Sequence, residues 1–276
     1  MAGQGIWLGF MAHYIITGAS SGIGAALSKH LTSAGHRVAG IARRKDRLAA
    51  LAHEIDLFDG YQADVGDASS LKATIDKVVS ISGPIDVAIL NAGIYQPQDG
   101  TLIDPQVYAN HMTVNYLGVV NALAAIVPDM VQNQRGQIAI VSSVAGWRGL
   151  PKSAAYGPTK AALISLAESL YFDLTPNRIK LQIICPGFVE SEATSINDFE
   201  MPDLISADMA AKQIISGLAT KVFSINFPKS FTRKMGFLKF LPDKLYFHFI
   251  GKKTGTSSKE PKPESYKHAK PFSPCR

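Results

Sequence analysis

The stretch T-G-A-S-S-G-I-G, residues 17–24, decides the fold of this chain. It follows the apolar run His13–Thr17, which predicts a short buried strand, and it precedes an apolar-periodic helix that continues to about Ala34. A strand, a glycine-rich turn and a helix in this order form the context in which such a turn binds a nucleotide. Glycine lets the backbone approach a phosphate closely, and N–H groups at the helix start point toward the anion. The residues predicted to contact the phosphates are Gly18, Ser20, Ser21, Gly22, Ile23 and Gly24.

Two arginines follow the next apolar run and indicate the type of nucleotide. Residues 37–42 predict the second strand, and Arg43 and Arg44 come directly after it. NAD-selective sites carry an acidic residue about 20 positions past the glycine loop. Positions 37–45 hold no Asp or Glu, and a guanidinium suits a 2′-phosphate. The sequence therefore predicts NADP(H), with NAD(H) possible, and it favours Arg43 over Arg44 because Arg43 comes first. The alternative is that the two arginines only form the solvent-exposed start of the next helix.

A tyrosine and a lysine further along the chain suggest acid–base chemistry. Tyr156 and Lys160 are four residues apart, so they lie on one face of a helix, and Ser143 lies 13 residues before the tyrosine. A positive charge near a phenol favours the phenolate and lowers a pKa that is otherwise about 10. Taken alone, this pair could equally be an ordinary surface pair of a helix.

Apolar strands alternate with amphipathic helices along most of the chain. Strands are predicted at Val87–Leu90, Ile138–Val141 and Leu181–Cys185, and long helices near residues 107–130 and 156–174. Continuous apolar strands between helices are typical of a parallel sheet covered on both faces. The chain has 276 residues and is 46% hydrophobic, enough for one large core. The prediction is a single-domain α/β Rossmann fold, a doubly wound parallel sheet, over residues 11–228.

Together these motifs resemble the short-chain dehydrogenase/reductase family, from about His13 to Phe227. The resemblance implies an NAD(P)(H)-dependent oxidoreductase that acts on a ketone or secondary alcohol. The catalytic residues it implies are Asn115, Ser143, Tyr156 and Lys160. The further cofactor contacts it implies are Asp64, Val65, Asn91, Ala92, Gly93, Tyr156, Lys160, Pro186, Gly187, Val189 and Ser191. The chain departs from the family pattern at Leu90, where the family often has Asn, and at Ser191, where it usually has Thr.

The resemblance also implies a mechanism and an assembly. Ser143 and Tyr156 would bind the carbonyl oxygen, and Tyr156 would deliver the proton. Lys160 would lower the tyrosine pKa and hold the nicotinamide ribose, while the backbone of Asn115 would hold a water. A homodimer or homotetramer is expected through the long helices near 107–130 and 156–174.

The end of the chain is strongly basic. Residues 229–276 carry ten Lys and two Arg against three acidic residues, a net charge of +9, although the whole chain has only +6. Residues 229–250 are also amphipathic, which leaves three interpretations: a helix packed beside the substrate cleft or a neighbouring subunit, a peripheral contact with an anionic membrane, or a nucleic-acid contact. No nucleic acid is expected, because no binding module accompanies the charge. Residues 251–276 are expected to be disordered, and residues 1–10 to be a short extension.

The predicted substrate is apolar, such as a lipid-derived or steroid-like ketone. Trp147, Phe188, Phe199 and Met201 would supply apolar contacts, although they could equally pack the lid against the domain. A rival function is a nucleotide-sensing binding protein with vestigial catalysis. The two cysteines, Cys185 and Cys275, form no disulfide framework, which favours the cytoplasm, with a possible peripheral membrane location. No metal site is predicted.

Overall fold

The structure, a computed structural model, describes residues 11–197 and 201–254. Its sheet is entirely parallel and has the order β3-β2-β1-β4-β5-β6-β7. The strands are β1 (His13–Thr17), β2 (Arg37–Ala42), β3 (Phe58–Gln62), β4 (Val87–Leu90), β5 (Gly136–Val141), β6 (Ile179–Pro186) and β7 (Ser224–Phe227). The predicted doubly wound α/β fold is confirmed. The sequence does not predict β3 and β7, because these short edge strands are only partly buried and include polar residues.

Nine α-helices are assigned within the described residues. They are α1 (Gly22–Ser33), α2 (Lys45–Glu54), α3 (Ala68–Ser82), α4 (Pro105–His111), α5 (Gly118–Gln132), α6 (Tyr156–Leu174), α7 (Ala207–Leu218), α8 (Lys229–Leu238) and α9 (Asp243–Thr254). A π-helical segment, Met112–Leu117, joins α4 to α5. The helix predicted near 107–130 is therefore longer than expected and carries a π-helical insertion, which hydrophobic periodicity does not reveal.

The sheet separates two hydrophobic cores. Alternate residues of a strand point to opposite faces, so Ile15 enters one core while Tyr14 and Ile16 enter the other. The first core is completed by apolar side chains of α3, α5 and α6, and the second by those of α1, α2 and α7. This arrangement leaves the carboxyl ends of the strands and the loops after them as the edge where a site can form.

One continuous helical run, Pro105–Gln132, is apolar and long enough by composition to cross a membrane. Its inward face packs against the sheet through α5, where Val119, Ala122 and Ile126 are buried in the first core. A core helix passes the same length and composition test, so this feature is weak support for a membrane span.

The C-terminal helices pack onto the domain. Phe231 and Met235 of α8 are buried together with Val144, and Trp147 packs against the same cluster. Residues 251–254 are helical because the last turn of α9 is anchored by the buried Ile250, so the disorder expected from residue 251 is wrong for these four positions. Residues 1–10 and 255–276, with Cys275, and Phe199 lie outside the described residues.

Candidate active site

The glycine loop occupies the crevice where the strand order reverses, between β1 and β4. Ligands of open parallel sheets bind at such a reversal. Gly18 has φ +72°, and a Cβ built there would lie 2.9 Å from the Cα of Ala92. Gly22 also has a positive φ, and a Cβ on Gly24 would clash with the carbonyl of Gly18. The three glycines therefore form a close backbone cradle that side chains would fill.

The start of α1 is open to an anion. The N-cap residue, Ser21, makes no side-chain capping hydrogen bond, and the first turn contains no acidic residue. The first N–H groups of the helix thus lack both a capping oxygen and a competing carboxylate. The cradle and the uncapped helix fit the pyrophosphate of a dinucleotide.

Thr17 is a site residue that the sequence did not single out. Its Oγ1 accepts hydrogen bonds from the backbone N–H groups of Asn91 (3.0 Å) and Ala92 (3.1 Å). The Asn91 amide in turn donates to the Thr17 carbonyl at 3.1 Å. These bonds hold the end of β1 against the end of β4. Thr17 is the first residue of the glycine-loop stretch, but its position in that stretch does not indicate these hydrogen bonds to the end of β4.

The two arginines after β2 take different positions. Arg44 donates to Ser21 Oγ (2.6 Å) and to Ser20 Oγ (3.1 Å), so its guanidinium lies directly on the glycine loop. Arg43 is mostly exposed, with its nearest carboxylate on Asp64 at 3.9 Å. The sequence favours Arg43, whereas the geometry brings Arg44 closer to the phosphate cradle because its side chain folds back over the loop.

Glu192 pairs with Arg44 and Arg47 from a distant part of the chain. Its carboxylate accepts from Arg44 at 2.6 Å and also contacts Arg47. Hydrogen bonds from these two guanidinium groups hold the Glu192 pKa below its ordinary value. Glu192 lies in the segment after β6, 148 residues from Arg44, so no local pattern in the sequence indicates this contact.

Asn115 is fully buried and its side chain is hydrogen-bonded within the fold. Its Oδ1 accepts from the Ile94 N–H at 2.7 Å, and its Nδ2 donates to the Ile94 carbonyl (3.0 Å) and to Thr159 Oγ1 (3.1 Å). This two-way bond fixes the loop after β4 against the π-helical segment. The two N–H groups of the Asn115 amide and one lone pair of its oxygen are thus engaged within the fold.

Lys160 lies beneath the end of β5. Its Nζ donates to the Val141 carbonyl at 2.9 Å, and its own carbonyl accepts from Ser142 Oγ at 2.8 Å. A Cβ on Gly93 would lie 3.5 Å from Lys160 Nζ and 3.3 Å from Asn115 Oδ1, so the absence of a side chain at Gly93 keeps the lysine end accessible. The fold thus brings Lys160, Gly93 and Asn115 together.

Tyr156 and Ser143 meet at the cleft. Their side chains are hydrogen-bonded to each other, and the Ser143 Oγ also accepts from the Ala145 N–H at 3.1 Å. The ring of Tyr95 packs edge-on against the Tyr156 ring, with centroids 5.2 Å apart. Tyr95 is another residue that the sequence did not single out.

The pKa values of the pair differ from the expectation. Burial raises the pKa of Tyr156 to about 12, although its hydrogen bond with Ser143 acts in the opposite direction. Burial likewise lowers the pKa of Lys160 to about 8. The expected lowering of the tyrosine pKa by Lys160 is therefore wrong for this structure, because desolvation of the phenol outweighs the distant ammonium, which lies 5.5 Å from the ring centroid.

The remaining predicted cofactor residues surround the cradle. The Asp64 Oδ1 accepts a hydrogen bond from the Gly66 N–H at 2.9 Å. The backbone carbonyl of the buried Val65 accepts one from the Asn121 Nδ2 at 2.9 Å. Pro186 ends β6, Gly187, Val189 and Ser191 follow it, and all four line the cleft. The Ser191 hydroxyl is held by Thr194 Oγ1 at 3.2 Å.

A cavity of about 470 Å³ opens in front of Tyr156 and Ser143. Its wall is largely apolar and comes from the loop before α6, the segment after β6, and the C-terminal helices. The lining includes Leu150, Phe188, Phe231, Met235, Leu238 and Ile250. Residues 229–250 pack beside the cleft, as the first of the three interpretations expects. Within residues 11–197 and 201–254, no group of three or more His, Cys, Asp or Glu could hold a metal ion.

The sheet reverses its strand order at a glycine cradle beside an uncapped helix, and a tyrosine pairs with a serine at the neighbouring cleft. This combination is that of a nucleotide-dependent oxidoreductase. The family model described as short chain dehydrogenase matches residues 12–200, and the chain belongs to this family.

Three relatives illustrate this membership. An uncharacterized oxidoreductase of Myxococcus xanthus is 32% identical over 84% of this chain and 93% of its own length. The 3-oxoacyl-[acyl-carrier-protein] reductase FabG of Staphylococcus aureus is 34% identical over 68% of this chain and 79% of its own. The solved structure of ElxO with NADP bound is 25% identical, with a TM-score of 0.70 over 79% of this chain and 98% of that one.

Proposed function

We propose that this protein is an NADP(H)-dependent enzyme that interconverts an apolar ketone and its secondary alcohol. The observation that carries the proposal is the hydrogen-bonded pair of Tyr156 and Ser143 at the base of a largely apolar cavity. Bound nicotinamide would supply or accept the hydride, and the residues of this chain would supply position and the proton.

Tyr156 acts as the general acid in the reductive direction. With a pKa of about 12 the phenol is protonated at neutral pH, so its O–H can donate to a carbonyl oxygen. Ser143 donates a second hydrogen bond to the same oxygen, which stabilises the charge that develops there. The Tyr95 ring limits the movement of the Tyr156 ring through its edge-on contact.

Lys160 supports the phenolate that remains after proton transfer. Below about pH 8 its ammonium is charged, and a positive charge near the phenolate stabilises it. The Asn115 side chain is hydrogen-bonded to the backbone of Ile94. Its proposed role is therefore to hold, through its own backbone, a water that belongs to the proton path.

Preference for NADP(H) over NAD(H) rests on the basic residues at the end of β2. Arg44 donates to the serines of the glycine loop, and Arg43 precedes it in the chain. Positions 37–45 do not contain the acidic residue that is typical of NAD-selective sites. ElxO, a relative of known structure, binds NADP, which agrees with this assignment.

An apolar substrate agrees with the cavity wall and with one relative. Leu150, Phe188 and Met235 belong to the largely apolar wall of the cavity, which also includes the charged residues Lys152, Asp203, Lys234 and Lys253. The Staphylococcus aureus relative is a 3-oxoacyl reductase by name, and a 3-oxoacyl group is a ketone on an apolar chain.

A homo-oligomer and a cytoplasmic location complete the proposal. The long helices that we expect at the interface expose large apolar side chains, namely Met112, Leu117, Tyr171 and Phe172. Cys185 is a buried free thiol, which suits a reducing compartment.

Tyr156→Phe tests the proposed function. It removes the proton donor but keeps the ring, so we expect turnover of a graded panel of ketones to fall by about 10²–10⁴ while NADPH binding persists. Initial rates of NADPH oxidation and quenching of protein fluorescence measure the two effects. Undiminished turnover in the variant would exclude Tyr156 as the acid. A wild-type protein that binds NADPH without turnover on any ketone would favour the sensing role instead.

A further inference from the structure

The C-terminal helices carry a concentration of exposed aromatic side chains. Eighteen large hydrophobic side chains are exposed among the described residues, and five of them lie within residues 237–249. These five are Phe237 (69% exposed), Phe240 (79%), Leu245 (48%), Phe247 (66%) and Phe249 (45%). Single exposed apolar residues are common, but a cluster of this kind marks an interaction surface.

The geometry of the helices groups these side chains. The Phe240 N–H donates to the Phe237 carbonyl at 3.1 Å, so the two rings are one turn apart and project to the same side. On α9, Leu245 and Phe249 are four residues apart and share a strip beside the buried Tyr246 and Ile250. Each helix therefore keeps one strip buried against the domain and leaves its other apolar side chains exposed, with Phe247 on the other flank of the Tyr246 and Ile250 strip.

Basic side chains are interleaved with the rings. Residues 229–254 contain six Lys and one Arg but only one acidic residue, Asp243, and its carboxylate already pairs with Arg148. Lys239 lies 5.0 Å from the Phe240 ring centroid, and the other exposed lysines among the rings are Lys244, Lys252 and Lys253. We call the five apolar side chains and these four lysines the aromatic–lysine surface.

We propose that the aromatic–lysine surface docks this enzyme on an anionic lipid surface. Aromatic rings enter the boundary between headgroups and acyl chains, and lysines pair with anionic headgroups. A second copy of this chain is a poorer occupant, because two surfaces with the same strong positive charge repel each other.

The position of this surface relative to the cavity gives the docking a role, which rests on the proposed function. Ile250 and Lys253 of α9, with Leu238 of α8, belong to the cavity wall. The helices that would touch the lipid thus also border the space in front of Tyr156. An apolar ketone dissolved in the lipid layer would reach the cavity without crossing water.

Vesicle co-sedimentation of the full-length protein tests the proposal. The probes are vesicles of phosphatidylcholine alone and of phosphatidylcholine with phosphatidylglycerol, at about 0.05 M and about 0.5 M salt. We expect sedimentation with the mixed vesicles at low salt and a loss of several-fold at high salt or with the neutral vesicles. The double variant Phe240→Ser/Phe247→Ser should reduce vesicle binding about tenfold, and Lys244→Gln/Lys252→Gln should remove most of the salt dependence.

Matched variants elsewhere on the surface serve as controls. Leu102→Ser alters an exposed apolar residue (74%) far from α8 and α9 in the chain, and Lys77→Gln/Lys221→Gln removes two exposed charges. Both should bind vesicles like the wild type, and all variants should keep NADPH binding as a measure of folding. Absence of sedimentation at low salt, equal binding to neutral vesicles, or equal loss in the controls would overturn the proposal. So would a dimer in light scattering that only Phe240→Ser/Phe247→Ser dissolves, since a second copy would then cover the surface.

Discussion

Burial drives both titratable groups at the reacting centre toward their neutral forms. The pKa of Tyr156 rises to about 12 and that of Lys160 falls to about 8, each mainly because a charge is poorly solvated there. At neutral pH the tyrosine is then a ready proton donor, and the lysine remains protonated by a narrow margin. The lysine, not the tyrosine, is therefore the group whose titration should limit the reductive reaction.

The pH profile follows from this narrow margin. Lys160 is charged below about pH 8 and neutral above it, so kcat/KM for ketone reduction should fall roughly tenfold per pH unit on the alkaline side. Lys160→Arg, whose charge persists, should move this decline to higher pH. Steady-state rates between pH 6 and about 10 measure it. A flat profile in the wild type would show that titration of Lys160 does not limit the reaction. An unchanged alkaline decline in Lys160→Arg would assign that decline to another group.

Glu192 competes for Arg44, one of the two arginines on which the proposed binding of the 2′-phosphate rests. Its carboxylate lies 2.6 Å from Arg44 and must give way to an incoming phosphate. The ion pair is solvent-exposed and worth at most about 1 kcal/mol, so Glu192→Gln should tighten NADPH binding by up to about fivefold and leave NADH binding nearly unchanged.

Equilibrium titration of both cofactors measures this effect. Glu190→Gln is the matched control, because Glu190 is an exposed neighbour whose side chain has no hydrogen bond or ion pair within the described residues. A change of equal size for NADPH and NADH would show that Glu192 acts on the loop as a whole and not on the phosphate site.

Among the elements, α8 has the most direct influence on the cleft. Its Phe231 ring packs over Gly187, directly after β6, and tilts against Phe188 with ring centroids 5.5 Å apart. A Cβ on Gly187 would approach Phe231 Cδ1 to 2.7 Å and Pro228 Cδ to 3.3 Å. The absence of a side chain at Gly187 therefore permits the helix to close this side of the cavity.

Gly187→Ala should push α8 away from the domain. Overpacking of this kind typically costs about 1–3 kcal/mol of unfolding free energy, and the displaced Phe231 should raise KM for the ketone. Denaturant unfolding and steady-state kinetics measure the two effects. Gly149→Ala is the control, since no atom lies within 4 Å of a Cβ at that position. Equal behaviour of the two variants would show that α8 does not depend on this contact.

At the scale of the whole molecule, one arginine ties the C-terminal helices to the loop before α6. Arg148 donates to the Leu241 carbonyl at 2.6 Å, pairs with Asp243, and lies 3.9 Å from the centre of the Tyr246 ring. The Tyr246 hydroxyl donates back to the Gly149 carbonyl at 2.7 Å. The partly buried charge of Arg148 thus links α9 to the loop before α6, and both of these segments contribute to the cavity wall.

Arg148→Ala should loosen α9 while the Rossmann domain persists. Hydrogen bonds to charged groups contribute about 1.5–3 kcal/mol, so we expect a clear fall in Tm and a higher KM, with NADPH binding retained. Tyr246→Phe, which removes only the hydroxyl, should have a much smaller effect. Thermal unfolding and ketone kinetics measure both. An Arg148→Ala variant with wild-type Tm and KM would mean that α9 is held by its apolar contacts alone.

The strand–loop–helix pattern at residues 13–34 and the apolar strands that follow predicted the confirmed α/β fold. These features depend on hydrophobic periodicity and on glycines that permit a tight turn, and both act over a few neighbouring residues. They can therefore be recognised in the sequence before the fold is known. The spacings of Ser143, Tyr156 and Lys160 likewise led to the cluster that the structure brings together, although their catalytic roles remain predictions. The family implied by these motifs is confirmed by the match over residues 12–200.

Contacts between distant segments could not be predicted in this way. Glu192 meets Arg44 across 148 residues, Arg148 meets Tyr246 of α9, and the π-helical turn at Asn115 is not revealed by hydrophobic spacing. The tyrosine pKa is the clearest case, because proximity to lysine predicts a lowering and burial produces a rise. The sequence by itself determined the fold and the family, and it pointed to the side chains that we propose to react. Only the tertiary structure decided their solvation, their partners and the wall of the cavity, because desolvation and side-chain packing arise when remote segments come together.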